Sequence, residues 1–297
     1  MTNKCSYCRN IAIYYRRNSG EYLCRKHFIE SIERKVRRAI GDKLKGRKIV
    51  GLAVSGGKDS STMAYIMWKL SQRHRQTKLI GLIIDEGIKG YRDKSIEYAV
   101  NLMEELGIEY HIGSFKDEFG FTVDELVERG VRNPCTYCGV FRRRMMEIMG
   151  RKYRVDILLT GHNANDIAET VLLNIIQGHI KHIVYDLEVG ESLIPHLNPL
   201  RYVLEGEVVL YAYIRGIKYY EESCPYIRYA LRREVRTFLN NMEWRHPGIT
   251  FNILRISEKL KEKKLPVNPC EKCGYPTTRK ICKVCELLDN IMEIKAT

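Results

Sequence analysis

Apolar and polar positions alternate along the middle of this 297-residue chain with two periods, one typical of strands and one typical of helices. Strands are predicted at residues 48–54, 78–84, 109–112 and 156–160. Helices are predicted at residues 60–72, 95–106, 139–149, 166–177, 207–215 and 228–241, and 178–198 is less regular. This alternation favours an α/β fold with a doubly wound, mostly parallel sheet, which binds ligands at the carboxyl ends of its strands.

The composition is typical of a soluble globular protein with an electropositive surface. Hydrophobic residues make up 44% of the chain, and no apolar run approaches the roughly 18 residues that a membrane span requires. The first residues lack the segments of a signal peptide, so we expect a cytoplasmic protein. The net charge of +14 favours a polyanionic partner, although a solvated basic surface would have the same composition.

Seven of the ten cysteines and one histidine form two four-ligand patterns near the chain ends. The patterns are Cys5-x-x-Cys8 with Cys24-x-x-His27, and Cys270-x-x-Cys273 with Cys282-x-x-Cys285. Soft ligands at these spacings suit tetrahedral zinc, so we predict one Zn²⁺ in each pattern. The predicted organisation is an N-terminal zinc finger (1–30), a central domain (31–265) and a C-terminal zinc ribbon (266–297). Basic residues of the first finger are candidates for RNA contact: Arg16, Arg17, Arg25 and Lys26.

The first strand leads into a helix through Ser-Gly-Gly-Lys-Asp-Ser at residues 55–60. Backbone N–H groups and a helix N-terminus converge in such a turn, so it should bind phosphate, with Lys58 adding charge. The common nucleoside triphosphatase loop is absent, because Gly57 stands where that loop requires lysine. A glycine-rich turn that binds nothing is the structural alternative. The predicted nucleotide contacts here are Ala53, Val54, Ser55, Gly56, Gly57, Lys58, Asp59 and Ser60.

The second predicted strand ends beside this turn, in Ile84, Asp85 and Glu86. Backbone groups near Ile84 could contact adenine, and the two carboxylates could approach Mg²⁺. Acidic residues are also common at exposed strand ends, where they bind nothing. We therefore predict nucleotide contacts at Ile84 and Asp85, with magnesium as an accompanying ion.

The fourth predicted strand ends in Gly161 and His162, just before a helix that begins near Asp166. A tight turn that leads into a helix at the same sheet edge should contact the nucleotide or contribute to catalysis. An acid in the first turn of a helix also stabilises the helix end, so Asp166 could be a cap and nothing more. We predict contacts from Gly161 and His162 and a catalytic role for Asp166.

Three cysteines remain outside the zinc patterns: Cys135, Cys138 and Cys224. Structural metal sites are normally closed by four ligands, whereas three thiolates leave one position for a substrate or an exogenous ligand. Three interpretations stay open, namely an iron–sulfur cluster with one free iron, persulfide chemistry with disulfide exchange, and buried thiols without a ligand. Spacing alone does not select the metal, because soft sulfur ligands suit both iron–sulfur clusters and zinc.

Taken together, segments 55–60, 85–93, 135–143 and 161–170 and both terminal fingers resemble the tRNA 2-thiouridine synthetases. These enzymes belong to the ATP pyrophosphatase superfamily, whose PP-loop reads Ser-Gly-Gly-x-Asp-Ser. The resemblance implies an adenine nucleotide α-hydrolase-like domain. It also implies that ATP adenylates the C2 oxygen of a tRNA uridine and that sulfur is delivered from sulfide on a [4Fe-4S] cluster. The implied catalytic residues are Cys135, Cys138 and Cys224 as cluster ligands, with Lys58, Arg142 and Asp166.

Two branches of this family modify different uridines. Segments 85–93 and 138–143 look like the branch that acts on wobble uridine 34, whereas Cys224-Pro-Tyr looks more like the branch that acts on position 54. We favour position 34. Asn165 stands where both branches usually have aspartate, which puts a proton or metal role at that residue in doubt. The resemblance further implies a homodimer and a sulfur donor, either free sulfide or a ubiquitin-like thiocarboxylate protein.

Two other classes are compatible with parts of the sequence. PP-loop ligases that modify tRNA or form amides also adenylate their substrates, but they need no cysteine triad. A non-catalytic RNA-binding adaptor would use the fingers and the basic surface alone, and the complete phosphate loop argues against it.

Overall fold

The computed structural model of the chain describes residues 3–46, 48–72, 77–188, 193–229, 231–260 and 263–294. The strands are β1 (Tyr14–Arg16), β2 (Glu21–Leu23), β3 (Lys48–Ala53), β4 (Thr77–Asp85), β5 (Glu109–Ser114), β6 (Ile157–Leu159), β7 (Tyr185–Glu188), β8 (His196–Leu197), β9 (Lys263–Pro266), β10 (Asn268–Pro269) and β11 (Pro276–Thr277). The helices are α1 (Arg25–Ile40), α2 (Lys58–Ser71), α3 (Arg92–Glu105), α4 (Phe115–Phe119), α5 (Val123–Glu128), α6 (Pro134–Lys152), α7 (Ala164–Ile176), α8 (Lys181–Val184), α9 (Glu205–Arg215), α10 (Arg232–Arg245), α11 (Ile249–Leu260) and α12 (Lys283–Ile294). Short 3-10 helices lie at Gly41–Leu44 and Pro225–Tyr229.

A five-stranded parallel sheet forms the centre of the molecule, in the order β5-β4-β3-β6-β8. Strand order reverses between β3 and β6, so a crevice opens between their carboxyl ends, and ligands of doubly wound sheets bind at such switch points. The predicted fold class is confirmed. Strand β8 lies within 178–198, where we predicted no element, because a two-residue strand is too short to show a period.

Helices cover both faces of the sheet, each with its own apolar cluster. On one face, Phe28 of α1 and Ile66 of α2 are fully buried with residues of α3 and α9. On the other face, Phe115 and Phe141 of α4 and α6 pack with α5 and the C-terminal finger. Helices α7, α10 and α11 share a smaller cluster around Leu239. None of the helices in the described ranges is long and apolar enough to cross a membrane.

Helix α6 begins at Pro134, five residues earlier than we predicted from position 139. Proline suits the first position of a helix because its missing N–H would have no helical partner there. The correction matters for the chemistry, since Cys135 and Cys138 lie at the start of this helix instead of before it. The predicted helix 228–241 is also corrected, to the 3-10 helix Pro225–Tyr229 followed by α10. Helices α1, α11 and α12 were not predicted.

A buried group of ion pairs attaches the N-terminal finger to the central domain. Arg16 at the end of β1 donates from Nε to Oε1 of Glu207 at 2.7 Å, and Lys35 lies 2.7 Å from the other oxygen of Glu207. Arg16 was one of four candidates for RNA contact, and its burial argues against that role, because the residue is only 6% exposed and pairs with a fully buried carboxylate. The other candidates, Arg17 and Arg25 among them, are exposed.

Candidate active site and metal-ligand clusters

The turn after β3 has the geometry of an anion-binding loop. Gly56 has φ +84°, and a Cβ there would lie 1.8 Å from the carbonyl oxygen of Ser95, so only glycine fits. The hydroxyl of Ser60 accepts from the amide of Ser55 at 3.1 Å and donates to the carbonyl of Gly57 at 3.1 Å. Hydrogen bonds within the loop therefore stabilise its conformation. Gly57 leads directly into the N-terminus of α2.

Lys58 is the first residue of α2 and points its charge back over the loop. Its Nζ lies 2.8 Å from Asp59 and 2.8 Å from Glu205, the first residue of α9. Burial would lower the pKa of Lys58, but these two carboxylates more than offset it, and the pKa lies above its ordinary value. Lys58 is thus a fixed cation at the switch point. A phosphate that binds here must share it with both acids.

The turn after β6 packs directly onto the phosphate loop. A Cβ on Gly161 would lie 2.8 Å from the amide nitrogen of Ser60, so this glycine allows the two turns to touch. Asn163 caps α7 by accepting from the amide of Asp166, and its Nδ2 donates to Asp59 at 2.9 Å. Sequence analysis missed Asn163, although an Asx residue just before a helix is a recognisable capping signal.

Asp166 and Asn165 are both engaged in the structure. One oxygen of Asp166 accepts from the amide of Asn163 at 3.1 Å and the other pairs with Arg236 of α10 at 3.0 Å. Asn165 is buried, and its side-chain oxygen Oδ1 accepts from the backbone amide of Glu205 at 3.0 Å. Asn165 therefore fixes the start of α9 and with it the carboxylate that holds Lys58. A neutral amide does this work without adding another charge.

Two arginines meet at the carboxyl end of β4. Glu86 is 4% exposed, with Oε1 2.8 Å from Nε of Arg142 and Oε2 2.7 Å from Nε of Arg92. Arg92 Nε donates its hydrogen to the carbonyl of Ile84 at 2.6 Å, so its contact with Glu86 is an ion pair without a hydrogen bond. We predicted that both acids could approach Mg²⁺, but Glu86 is buried against arginines and only Asp85 remains accessible.

Cys135, Cys138 and Cys224 converge beside this arginine pair. The first two lie in the first turn of α6, which packs against the 3-10 helix that follows Cys224. Burial raises the pKa of each thiol, the neighbouring thiols raise it further, and Arg142 acts in the opposite direction on all three. Nη2 of Arg142 donates to the Cys138 sulfur at 3.3 Å. Glu86 and then Cys138 raise the pKa of Arg142.

The segment that carries Cys224 begins at the phosphate loop. The amide of Tyr220 donates to the carbonyl of Gly56 at 2.9 Å, four residues before the cysteine. Tyr226, two residues after it, receives the Cys135 thiol hydrogen on its carbonyl at 3.3 Å. The nucleotide loop and the three thiols are therefore parts of one continuous site.

The two predicted zinc patterns each bring their four ligand atoms within 4.8 Å of one another. In the first, Nδ1 of His27 lies 3.2 Å from Cys5 Sγ and 3.4 Å from Cys24 Sγ. In the second, the amide of Cys282 donates to Cys270 Sγ at 3.2 Å. Four soft ligands that already converge fit a tetrahedral ion without rearrangement of the chain.

The fold and the loop at its switch point define the class: this is a PP-loop protein. A family model described as a PP-loop domain matches residues 28–243. A second model, described as the N-terminal LIM domain of 2-thiouridine synthetase TtuA, matches residues 4–29.

Relatives that match nearly the whole chain identify the family within this class. A probable sulfurtransferase of Methanocaldococcus jannaschii is 38% identical over 97% of this chain and 88% of its own length. Cytoplasmic tRNA 2-thiolation protein 1 of Danio rerio is 35% identical over 98% of this chain and 89% of its own. The structure of the U34-tRNA thiolase NcsA from Methanococcus maripaludis with its [4Fe-4S] cluster is 36% identical and superposes with a TM-score of 0.87, covering 98% of this chain and 97% of that one. The chain belongs to the family of tRNA 2-thiolation proteins.

Proposed function

We propose that this protein is an ATP-dependent tRNA-uridine 2-thiolase that acts on wobble uridine 34. The carrying observation is that the phosphate loop and the three thiols form one site, joined through Glu86 and through the segment from Tyr220 to Cys224. The named activity of the relatives, which match this chain over nearly its whole length, supports the same conclusion.

In the first step, the uridine O2 oxygen attacks the α-phosphorus of ATP, and pyrophosphate leaves. Lys58 and the N-terminal amides of α2 stabilise the charge that develops on the phosphate oxygens. Asp59 and Glu205 hold Lys58 in place before ATP arrives, so little reorganisation accompanies the reaction. Asp166 would act here chiefly by capping α7 and keeping Asn163 against Asp59, because both of its oxygens are engaged.

In the second step, sulfur replaces the activated oxygen at C2, and AMP leaves. Cys135, Cys138 and Cys224 fit a [4Fe-4S] cluster, since three convergent, half-buried thiols leave one coordination position free. When bound, such a cluster would hold sulfide received from the sulfur donor at that free position and make it available for transfer. Arg142 lies against Cys138 and stabilises negative charge on the thiolates. Persulfide transfer through the same thiols is the competing chemistry, and iron analysis separates the two.

The remaining features belong to the same proposal. The terminal clusters would each hold a zinc ion, and Mg²⁺ would accompany ATP near Asp85. The exposed basic residues would bind tRNA. We further propose a cytoplasmic homodimer that takes its sulfur from sulfide or from a thiocarboxylate protein. The word cytoplasmic in the names of relatives supports the location.

The test uses anaerobically reconstituted protein with ATP, sodium sulfide and tRNA transcripts, with 2-thiouridine measured by mass spectrometry of nucleosides. We expect product from wild-type tRNA and from a transcript with cytidine at position 54, and none from a transcript with cytidine at position 34. Lys58→Ala should abolish product, whereas Lys45→Ala, a control at a side chain that is 75% exposed, should not. Product that depends on position 54 instead would overturn the assignment to position 34.

A further inference from the structure

Glu86 has a position that adenylation chemistry alone does not explain. Its carboxylate is buried, yet Oε2 has no hydrogen-bond partner among the described residues and lies beside Arg92 only as a counter-charge. A buried carboxylate oxygen without a hydrogen bond is costly to keep. What Glu86 does accomplish is to hold two guanidinium groups at once, one on each of its oxygens.

The first of these arginines contacts the phosphate loop. Nη1 of Arg92 donates to the carbonyl of Ser55 at 2.6 Å and to the hydroxyl of Ser95 at 2.7 Å. The backbone of Ser95 is the surface against which Gly56 packs. Arg92 is 3% exposed, so its guanidinium is enclosed by protein. A shift of the Arg92 guanidinium would therefore move the loop backbone that faces the nucleotide.

The second arginine contacts the thiol site. Arg142 reaches Glu86 through Nε and the Cys138 sulfur through Nη2 at 3.3 Å, so one planar group spans both partners. Its side chain is 47% exposed, in contrast to that of Arg92. Arg142 is therefore the less enclosed of the two arginines and the one that contacts a thiol of the site.

We infer that Glu86 is a positioning residue that couples the nucleotide loop to the three-thiol site, by sharing one carboxylate between Arg92 and Arg142. Binding of metal at the thiols would engage the Cys138 sulfur that now accepts from Arg142, and would therefore change that hydrogen bond. A change at Arg142 alters its ion pair with Glu86 and, through Glu86, the ion pair with Arg92. Because Arg92 contacts the backbone of Ser55, the loop that binds ATP then changes as well. Since coupling between two sites is reciprocal, nucleotide binding changes the thiol site by the same free energy. This inference rests on the proposed function.

The coupling is measurable without tRNA and without turnover. Calorimetry under anaerobic conditions would give the Kd of a non-hydrolysable ATP analogue for protein with iron at the thiol site and for protein without it, both retaining zinc. We expect the two wild-type Kd values to differ by at least about 5-fold, the lower end of typical coupling between sites. In Glu86→Gln the ratio of the two values should fall to about 1, while the analogue still binds. Glu109→Gln, an exposed carboxylate paired with Lys78 at the start of β5, is the matched control and should retain the wild-type ratio.

A second variant protects the test against misfolding. Glu86→Gln leaves two cations around a neutral side chain and could lower stability, whereas Arg142→Lys keeps the charge at a half-exposed position. Lysine has a single nitrogen and does not reproduce the two nitrogens with which Arg142 contacts Glu86 and Cys138, so Arg142→Lys should also lose the Kd ratio. Equal Kd values for the two forms of the wild type, or an unchanged ratio in Arg142→Lys, would overturn the inference. The proposed function would survive that result if the wild type still thiolates tRNA.

Discussion

The C-terminal finger and the three-thiol site are both built on a Cys-x-x-Cys pair, and they differ in what surrounds the sulfur atoms. In the finger, four sulfurs lie within 4.8 Å of one another, and three of the four cysteines are buried. Within the described ranges, the three thiols of the active site are not among the ligand sets that converge so closely, and all three are half-buried. A single ion gathers all its ligands, whereas each cysteine of a cluster binds a different iron.

The neighbouring cations differ as well. Arg144 contacts the finger sulfurs of Cys282 at 3.2 Å and Cys273 at 3.9 Å. Its guanidinium also lies 3.4 Å from the centre of the Tyr275 ring. Arg142, two residues earlier on the same helix, contacts Cys138 and remains half-exposed. Helix α6 thus contacts the four-cysteine cluster through Arg144 and the three-thiol site through Arg142. The two cysteine sites therefore differ in the number of ligands and in their access to solvent.

Loss of a ligand at the thiol site should have the largest effect on activity. Cys135→Ser removes one of the three proposed cluster ligands, so we expect thiolation to fall below detection and iron to be lost, with the zinc content unchanged. Thermal stability should stay within about 2 °C, because the residue is half-buried and lies at the helix start. Metal analysis, acid-labile sulfide and nucleoside mass spectrometry check this.

The same variant separates the competing mechanisms. Full activity in Cys135→Ser, combined with none in Lys58→Ala, would favour a PP-loop ligase. Zinc alone in the wild type, without iron or labile sulfide, would favour persulfide chemistry.

Loss of a ligand in the C-terminal finger should instead act on stability. Cys285 is 5% exposed and packs in the core cluster beneath α6, so Cys285→Ser should release one zinc ion and lower Tm by roughly 5–10 °C, as expected for about 3 kcal/mol. Cys273→Ser is the matched control, because it removes a ligand of the same ion from an exposed position. Its Tm should fall less for the same loss of zinc. Equal Tm changes in the two variants would show that burial of Cys285 adds nothing.

The smallest effect should come from the cation beside the finger. Arg144→Ala removes the hydrogen bond to the Cys282 sulfur, and loss of such outer contacts typically weakens metal affinity by about 10- to 100-fold. Competition with a chromogenic chelator would measure this, with Arg143→Ala as the control on the adjacent helix position. Iron at the thiol site should be retained in both variants. Parallel loss of iron and zinc in Arg144→Ala would mean that the two sites are not independent.

Sequence analysis identified the chemistry in this protein because that chemistry is local. The loop 55–60 and the Cys-x-x-Cys and Cys-x-x-His pairs depend on spacings of a few residues, which local backbone geometry converts directly into neighbouring groups. The approach of Cys224 to Cys135 and Cys138 is instead a tertiary contact. The alternation of strands and helices likewise depends on local periods, and the parallel sheet follows from it. The start of α6 was predicted at residue 139 instead of at Pro134, although proline is a favourable first helical residue.

Contacts between residues far apart in the chain were decided only by tertiary structure. Arg16 looked like an RNA ligand from its position in a basic finger, but Glu207, nearly two hundred residues away, buries it. Lys58 pairs with Glu205, and the side chain of Asn165 accepts a hydrogen bond from the backbone amide of Glu205. Neither contact can be predicted from residue spacing. The pairing of Glu86 with both Arg92 and Arg142 could not be predicted either, because it is also a tertiary contact. A sequence specifies which groups can ionise, whereas packing decides which of them become neighbours. In the protein interior the dielectric constant is low, so the electrostatic interaction between such neighbours is strong.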